Sequence, residues 1–432
     1  MKSLSLWQAQ EVRKTLEEAI EETLAAFYKM EAWRYDTWDL AYSGGKDSTT
    51  LVTLLAYLFD LQLLPRPKKV IVQYADTGME IPPLQQSALA ILHRLEAFGF
   101  ETQVVRPPLD NRWFVYMLGR GVPLPSNSFR YCTRNLKGDA MEQAMSEGLG
   151  NKPLVITGVR EGESAARDDS ITALCSKESG ECGQGYLYIR SKKSGKGTLA
   201  PILRWRVCHV FDWLLLFAPR PELAFDLFKN LLPRPMRVLT QGGFDTTAIA
   251  EIYGDQDTDD GQAEGLAART GCIQCPLVTD PKSDRPRQDK MLQRVIHLPK
   301  YRYLKPLERL LQVYTGLNSD DRRLRRVVIR KDGTRAYPKG PLTMEARLWG
   351  LEQIKAIQQE VNAAARACAM PEISLISAEE EARIRELIEA NTWPAGWSGT
   401  EPVASSFHLP TEKPAVIQLS LEGEVPDGLD AE

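Results

Sequence analysis

The chain has 432 residues, enough for one large domain with appendages or for two domains. Its 43% hydrophobic and 26% charged residues are ordinary globular values, and a net charge of −3 excludes any whole-molecule attraction to nucleic acid, so such binding has to be local. No apolar run approaches the roughly 18–20 residues of a membrane span, and Met1–Lys14 lacks the apolar core of a signal peptide, so a cytoplasmic protein with no membrane partner is expected. In that compartment the seven cysteines are expected to serve as metal, iron–sulfur or redox ligands rather than disulfides.

Leu16, Ile20, Leu24 and Phe27 recur at helical spacing and predict an amphipathic N-terminal helix within residues 1–35. A first strand, Trp38–Tyr42, leads through Ser43-Gly44-Gly45-Lys46-Asp47-Ser48 into a helix carrying Leu51, Leu54, Leu55 and Leu58 on one face. Lys69–Tyr74 is an apolar run of the kind buried on both faces of a parallel sheet; it ends in Ala75-Asp76-Thr77-Gly78 and a helix through Leu84–Phe98 follows. Further strands are predicted at Glu101–Val105 and Pro153–Thr157. Strands alternating with helices imply an α/β fold with a doubly wound, mostly parallel sheet, here occupying residues 36–235. Such sheets bind ligands at the carboxyl ends of their strands, where three of these four carry polar or glycine signals.

Beyond Leu203 the texture turns helical, and residues 236–392 are expected to form a cysteine-containing helical region with a basic segment. Pro299 and Pro306 must interrupt the pattern over Met291–Leu317, Thr343–Ala369 is a cleaner helix, and Ser377 with Glu380 forms a capping box for Ala378–Ala390. Residues 393–432 are rich in Pro, Gly and Ser and predict a loosely ordered tail.

A glycine turn between strand and helix exposes backbone N–H groups that can cradle phosphate. Here the turn offers Ser43, Gly44, Gly45, Asp47 and Ser48 as binding residues, with Lys46 to neutralise developing charge. Asp76 is either a turn residue or a nucleoside holder. After the fourth strand, Gly158 permits close backbone approach and Arg160 and Arg167 can clamp a leaving pyrophosphate; the competing reading is a solvated charged loop pairing with Glu161 and Glu163. Arg130, Arg134 and Lys137 surround Cys132, which is either activated or inert. Cys272 and Cys275 form a Cys-x-x-Cys that is redox-active, half a zinc site or half an iron–sulfur site, and Cys175 with Cys182 supplies a second pair. Cys208 and Cys368 are expected in the core. Arg322, Arg323, Arg325, Arg326, Arg330, Lys331, Arg335 and Lys339 make a basic segment, read as a solvated surface or a phosphate-tracking patch, with Lys331-Asp332-Gly333-Thr334 as a hairpin turn.

The Ser-Gly-Gly-x-Asp-Ser string resembles the signature of ATP pyrophosphatases, and the motifs follow in the order of the phosphoadenosine-phosphosulfate reductase superfamily. Ile252-Tyr253, Arg269-Thr270-Gly271-Cys272…Cys275 and Gly340-Pro341-Leu342-Thr343…Arg347 look like its DndC branch with SspD-type relatives, which act in DNA phosphorothioation. The resemblance implies ATP cleavage to AMP and pyrophosphate with Mg²⁺, and activation of a DNA backbone phosphate for sulfur incorporation. It also implies a [4Fe–4S] cluster, for which Cys175, Cys182, Cys272 and Cys275 are the candidate ligands. DNA, a cysteine desulfurase and other modification subunits are the implied partners, with a homo-oligomer open. Two departures stand out: Gly254–Ala268 lacks the additional cysteines of typical members, and Glu181-Cys182-Gly183 lies mid-chain, whereas the reductases place their catalytic cysteine near the C-terminus. Sulfonucleotide reduction and adenylylation in tRNA thiolation are the alternatives.

Overall fold

A computed structural model describes residues 15–126, 129–139, 153–161, 188–189, 197–231, 239, 241–254, 272–277, 288–329, 335–337 and 339–406. The N-terminal helix α1 (Leu16–Lys29) starts at Thr15, whose hydroxyl and Glu18 form a reciprocal capping box, and it buries Ile20, Leu24 and Phe27. Phe27 stacks on Trp38 of β1 (Thr37–Tyr42) with ring centroids 5.0 Å apart, which fixes the helix to the sheet. Next come α2 (Lys46–Asp60), β2 (Lys69–Ala75), α3 (Pro82–Glu96), β3 (Glu101–Val105) and, after a helical insert, β4 (Leu154–Thr157). Every predicted strand is present, each within one residue of its expected bounds. Two short strands were not predicted, β5 (Tyr188–Ile189) and β6 (Gly197–Leu199). At two and three residues they carry too little alternation for a sequence pattern to register.

The sheet runs in the order β3-β2-β1-β4-β6-β5, parallel except for β5 at the edge. Winding goes outward from β1 through β2 to β3, then restarts on the other side of β1 with β4. The gap between the carboxyl ends of β1 and β4 is therefore a topological switch point, the place where open α/β sheets hold ligands. Helix α2 is buried along nearly its whole length, from Lys46 to Phe59. Its polar faces are satisfied inside: Trp213 Nε1 donates to Thr53 Oγ1 at 2.8 Å, and Tyr57 OH donates to the Ala218 carbonyl at 2.6 Å.

The remaining helices are α4 (Val207–Asp212), continued by a π-turn over Trp213–Phe217, α5 (Pro221–Leu231), α6 (Thr247–Tyr253) and α7 (Lys290–His297). Pro299–Arg309 is a 3₁₀ stretch, the interruption that its two prolines demand, before α8 (Leu310–Leu317). The basic segment forms a long antiparallel hairpin: β7 (Arg323–Arg325) pairs with β10 (Lys339–Leu342), and β8 (Val328–Ile329) pairs with β9 (Arg335–Ala336). The predicted turn at 331–334 lies outside the described residues. Helices α9 (Met344–Ala367) and α10 (Ala378–Glu389) close the fold, the latter with the predicted Ser377/Glu380 box.

Arg347 is fully buried, and among the described residues no carboxylate pairs with it. Its guanidinium donates to the carbonyls of Leu118 (2.6 Å), Gly119 and Thr392 (2.9 Å), tying α9 to the π-turn Val115–Gly119. Burial lowers its pKa to about 10. Residues 393–406, where the loose tail was expected to begin, pack on the hairpin: Leu324 bridges Val403, and Trp397 lies under Arg326 at 4.3 Å. Cys208 and Cys368 are exposed rather than core. An apolar neighbourhood in sequence does not fix the helix face: Cys368 is the C-cap of α9, past its last buried turn.

Candidate nucleotide site

The loop after β1 is shaped by its glycines. Gly44 has φ +70°, and a Cβ there would sit 2.8 Å from Ala88 Cβ, so the turn needs glycine on both conformational and steric grounds. Gly45 is the extended N-cap residue of α2, which leaves the first N–H groups of the helix facing the switch point. The loop is closed by its serines. Ser43 N–H donates to Ser48 Oγ at 3.2 Å, Ser48 Oγ donates to the Gly45 carbonyl at 3.1 Å, and the two hydroxyls are 3.0 Å apart.

On the other side of the switch point, β4 is followed by Gly158. A Cβ there would come within 2.9 Å of Ser48 N and Cα, so the strand end presses directly on the first turn of α2. Two residues on, Arg160 is 4% exposed; its Nε donates to Asp47 Oδ1 at 2.5 Å and an Nη to the Trp205 carbonyl at 3.0 Å. Asp47 Oδ2 accepts from Lys46 Nζ at 2.7 Å. One carboxylate thus joins two cations on the floor of a water-poor site, which supports a charge-assisted network that geometry alone would fix. The solvated charged loop weighed from sequence does not describe Arg160, which is buried against Asp47; Arg167 lies outside the described residues.

A side wall comes from α6. Lys46 Nζ lies over the Tyr253 ring at 5.5 Å, and the Tyr253 hydroxyl is 3.2 Å from where a Gly45 Cβ would be. Tyr42, beneath the loop, is fully buried and hydrogen-bonded to Thr49 at 3.3 Å; burial raises its pKa.

Asp76, at the end of β2, is 4% exposed with both oxygens engaged. Oδ1 accepts from Gln85 Nε2 at 2.8 Å and from Gly78 N–H at 3.2 Å, and Oδ2 accepts from Arg106 Nε at 2.8 Å. These bonds hold the loop and fix Arg106 beside a cleft of about 640 Å³, lined also by Thr77, Gln86, Arg112, Ile273 and Ser377. Arg106 escaped the sequence reading. It follows Val105 at the end of β3, so the strand-end rule applied to the other three strands would have found it.

The Cys-x-x-Cys reaches this same edge. Ile273 N–H donates to the Met79 carbonyl at 2.7 Å and Cys272 bridges Glu80, docking the cysteines on the Asp76–Glu80 loop. Both thiols are half-buried, as is Cys132. Behind them stand Trp113, Tyr131 and Tyr314, with Trp113 Nε1 donating to Tyr314 OH at 3.3 Å. Burial raises the Tyr314 pKa, with the nearby Cys272 and Cys275 adding to the effect. Cys175 and Cys182 lie outside the described residues, and among the described residues no group of three His, Cys, Asp or Glu is arranged to hold a metal. The two thiols docked here are half of what a four-thiolate cluster needs.

Residues 38–218 match the phosphoadenosine phosphosulfate reductase domain. That span runs from β1 through the π-turn after α4 and contains the Ser43–Ser48 loop, Asp76, Gly158 and Arg160. Among solved structures, phosphoadenylyl-sulfate reductase from Candida auris is 13% identical, with 54% of this chain and 92% of that chain covered and a TM-score of 0.29. The U34-tRNA thiolase NcsA from Methanococcus maripaludis, with its [4Fe–4S] cluster, is 16% identical over 49% of this chain and 65% of that chain, with a TM-score of 0.30. No curated protein matches the chain. No helix of the described residues is long and apolar enough to cross a membrane.

Proposed function

We propose that the chain is an ATP pyrophosphatase that activates a DNA backbone phosphate for sulfur incorporation. The observation that carries the ATP reaction is the loop at the switch point, with Gly158 against its first turn and Asp47 joining Lys46 to Arg160. Backbone N–H groups of Gly44, Gly45, Asp47 and Ser48 would hold phosphate oxygens, with a Mg²⁺ ion proposed on those oxygens; the Asp47 carboxylate, already paired with Lys46 and Arg160, is not its ligand. Lys46 and Arg160 would neutralise the charge that builds on the leaving pyrophosphate. Attack of a DNA phosphate oxygen on the α-phosphorus forms a phosphoanhydride and expels pyrophosphate. A sulfide-level nucleophile then displaces AMP, which carries that oxygen away.

DNA as acceptor rests on the basic hairpin and on the motif resemblance, and a cysteine desulfurase and further modification subunits are proposed with it. A cluster on Cys175, Cys182, Cys272 and Cys275 is part of the proposal; of these, Cys272 and Cys275 lie among the described residues and would supply two of its four thiolates.

A second reading, sulfonucleotide reduction, is favoured by the family match of residues 38–218. Product analysis separates them. Incubation with α-labelled ATP, with and without duplex DNA, should yield AMP and pyrophosphate; release of inorganic phosphate, or thiol-dependent sulfite from an adenylylated sulfate, overturns the proposal. Transfer of label to tRNA in place of DNA would move the reading to base thiolation.

A further inference from the structure

The C-terminal region reaches the loop at the switch point through Tyr253. This tyrosine is the last residue of α6, is 7% exposed, and lies outside residues 38–218 that match the family domain. Its helix is fastened to α2 through the segment after α4. Thr246 Oγ1 donates to the Leu214 carbonyl at 2.5 Å, and Phe244 N–H donates to the Ala218 carbonyl at 2.9 Å. Helix α2 grips the same segment, since Tyr57 OH also donates to the Ala218 carbonyl and Trp213 Nε1 donates to Thr53. The Phe244 ring packs on Tyr57 and stacks on Phe98, with centroids 5.6 and 5.1 Å away. Ile249, Ala250 and Ile252 are buried as well. A side chain carried on so firm a frame is held in a fixed place.

What the ring meets there is Lys46. The ammonium lies 5.5 Å from the ring centroid, within reach of the negative face of the π-system. Lysine carries its charge on a flexible four-carbon stem. Among the described residues the one carboxylate paired with Lys46 is that of Asp47, the next residue in the chain, and Arg160 shares it. A second restraint on the ammonium therefore has something to add. The ring also helps to keep water from Lys46, which is 5% exposed, and its hydroxyl stands over the first turn of α2, 3.2 Å from where a Gly45 Cβ would be. We infer that Tyr253 is a positioning residue: its ring holds the Lys46 ammonium in place at the Ser43–Ser48 loop by cation–π attraction and by excluding water. Its effect on rate rests on the reaction proposed above; its effect on Lys46 rests on the geometry alone.

Two measurements on the full-length protein test it. The first needs no turnover: trace acetylation with acetic anhydride, with the Lys46 peptide quantified by mass spectrometry. Tyr253→Leu should raise the Lys46 labelling rate about tenfold, and Tyr253→Phe, which keeps the ring, should raise it less than about twofold. The second is ATP turnover. Tyr253→Leu should lower kcat about tenfold with KM for ATP within about twofold of the parent, and Tyr253→Phe should recover most of that loss. In a Lys46→Met background Tyr253→Leu should cost nothing further, because the group it acts through is gone. Equal losses in both backgrounds make Tyr253 a packing residue and overturn the inference. Parent-like labelling of Tyr253→Leu overturns it too, as does a Tyr253→Phe variant as slow as Tyr253→Leu. Where Tyr253→Leu lowers the Tm, pentafluorophenylalanine in place of Tyr253 keeps the ring shape and inverts the charge of its face, and the same outcomes apply. If labelling responds while ATP yields phosphate in place of pyrophosphate, the reaction reading fails and the positioning of Lys46 stands.

Discussion

Gly158 is the residue on which the site's geometry turns, because it lets β4 lie against the backbone of α2 rather than against side chains. Its missing Cβ would meet Ser48 N and Cα at 2.9 Å, and backbone cannot swing aside as a flexible side chain can. Gly158→Ala should therefore part β4 from the loop and raise the KM for ATP at least tenfold in a pyrophosphate-release assay, with far-UV circular dichroism unchanged. Lys46 makes a different case. It is 5% exposed and paired with Asp47, which keeps Arg160 when the lysine is lost. Lys46→Met should lower kcat for pyrophosphate release by about 10²–10³-fold, the range typical of removing one preorganised charge donor, while KM moves far less. Equal losses in kcat and binding would place the lysine on the ground state instead.

Between elements, single arginines do the fastening. Arg347 supplies hydrogen-bond donors to three carbonyls in two separate segments, and truncation takes the donor from two buried carbonyls and one half-buried one. At about 1–3 kcal/mol for a buried unsatisfied group, Arg347→Met should cost about 3 kcal/mol or more, read as a fall in Tm with loss of the α9 packing. Arg383 of α10 holds Asp110 in a two-pronged pair at 2.7 and 2.9 Å. The hydrogen bond from Arg383 holds the Asp110 carboxyl below its usual range. A carboxyl depressed in the folded state adds stability above its unfolded pKa of about 3.9 and loses it as pH falls through the folded value. The Tm of Asp110→Asn should thus sit below the parent at neutral pH and converge with it in strong acid. A constant gap down to the lowest pH would remove the pair from the acid response.

At the scale of the whole molecule, the C-terminal region is built onto the α/β sheet rather than appended to it. Ile273 hydrogen-bonds Met79, and the cleft beside Asp76 takes one wall from β2, β3 and α3 and another from the N-terminus of α10. Cys272 therefore stands beside the loop that ends β2. Cys272→Ser should strip iron and acid-labile sulfide from anaerobically prepared protein if the four-cysteine proposal is right. Protein that never contains either, and that keeps its activity after Cys272→Ser, removes the cluster from the account.

The sheet, its direction and the glycine turn between β1 and α2 were legible along the chain because buried parallel strands are continuous apolar runs and a glycine turn before a helix has its own spelling. Each of those signals is local. What the sequence left open was set by contacts between distant segments. Asp76 was placed at a strand end, yet its engagement by Arg106 and Gln85 depends on β3 and α3 converging on it. The basic segment read as uniform charge, but the fold buries Arg323, stacks Arg322 and Arg326 on tryptophans and exposes Arg335. Residue type alone located the glycine turn that the fold sets at the switch point. Tertiary packing decided which cations were left to face solvent, because burial and pairing belong to the folded surface and have no periodicity for a sequence to carry.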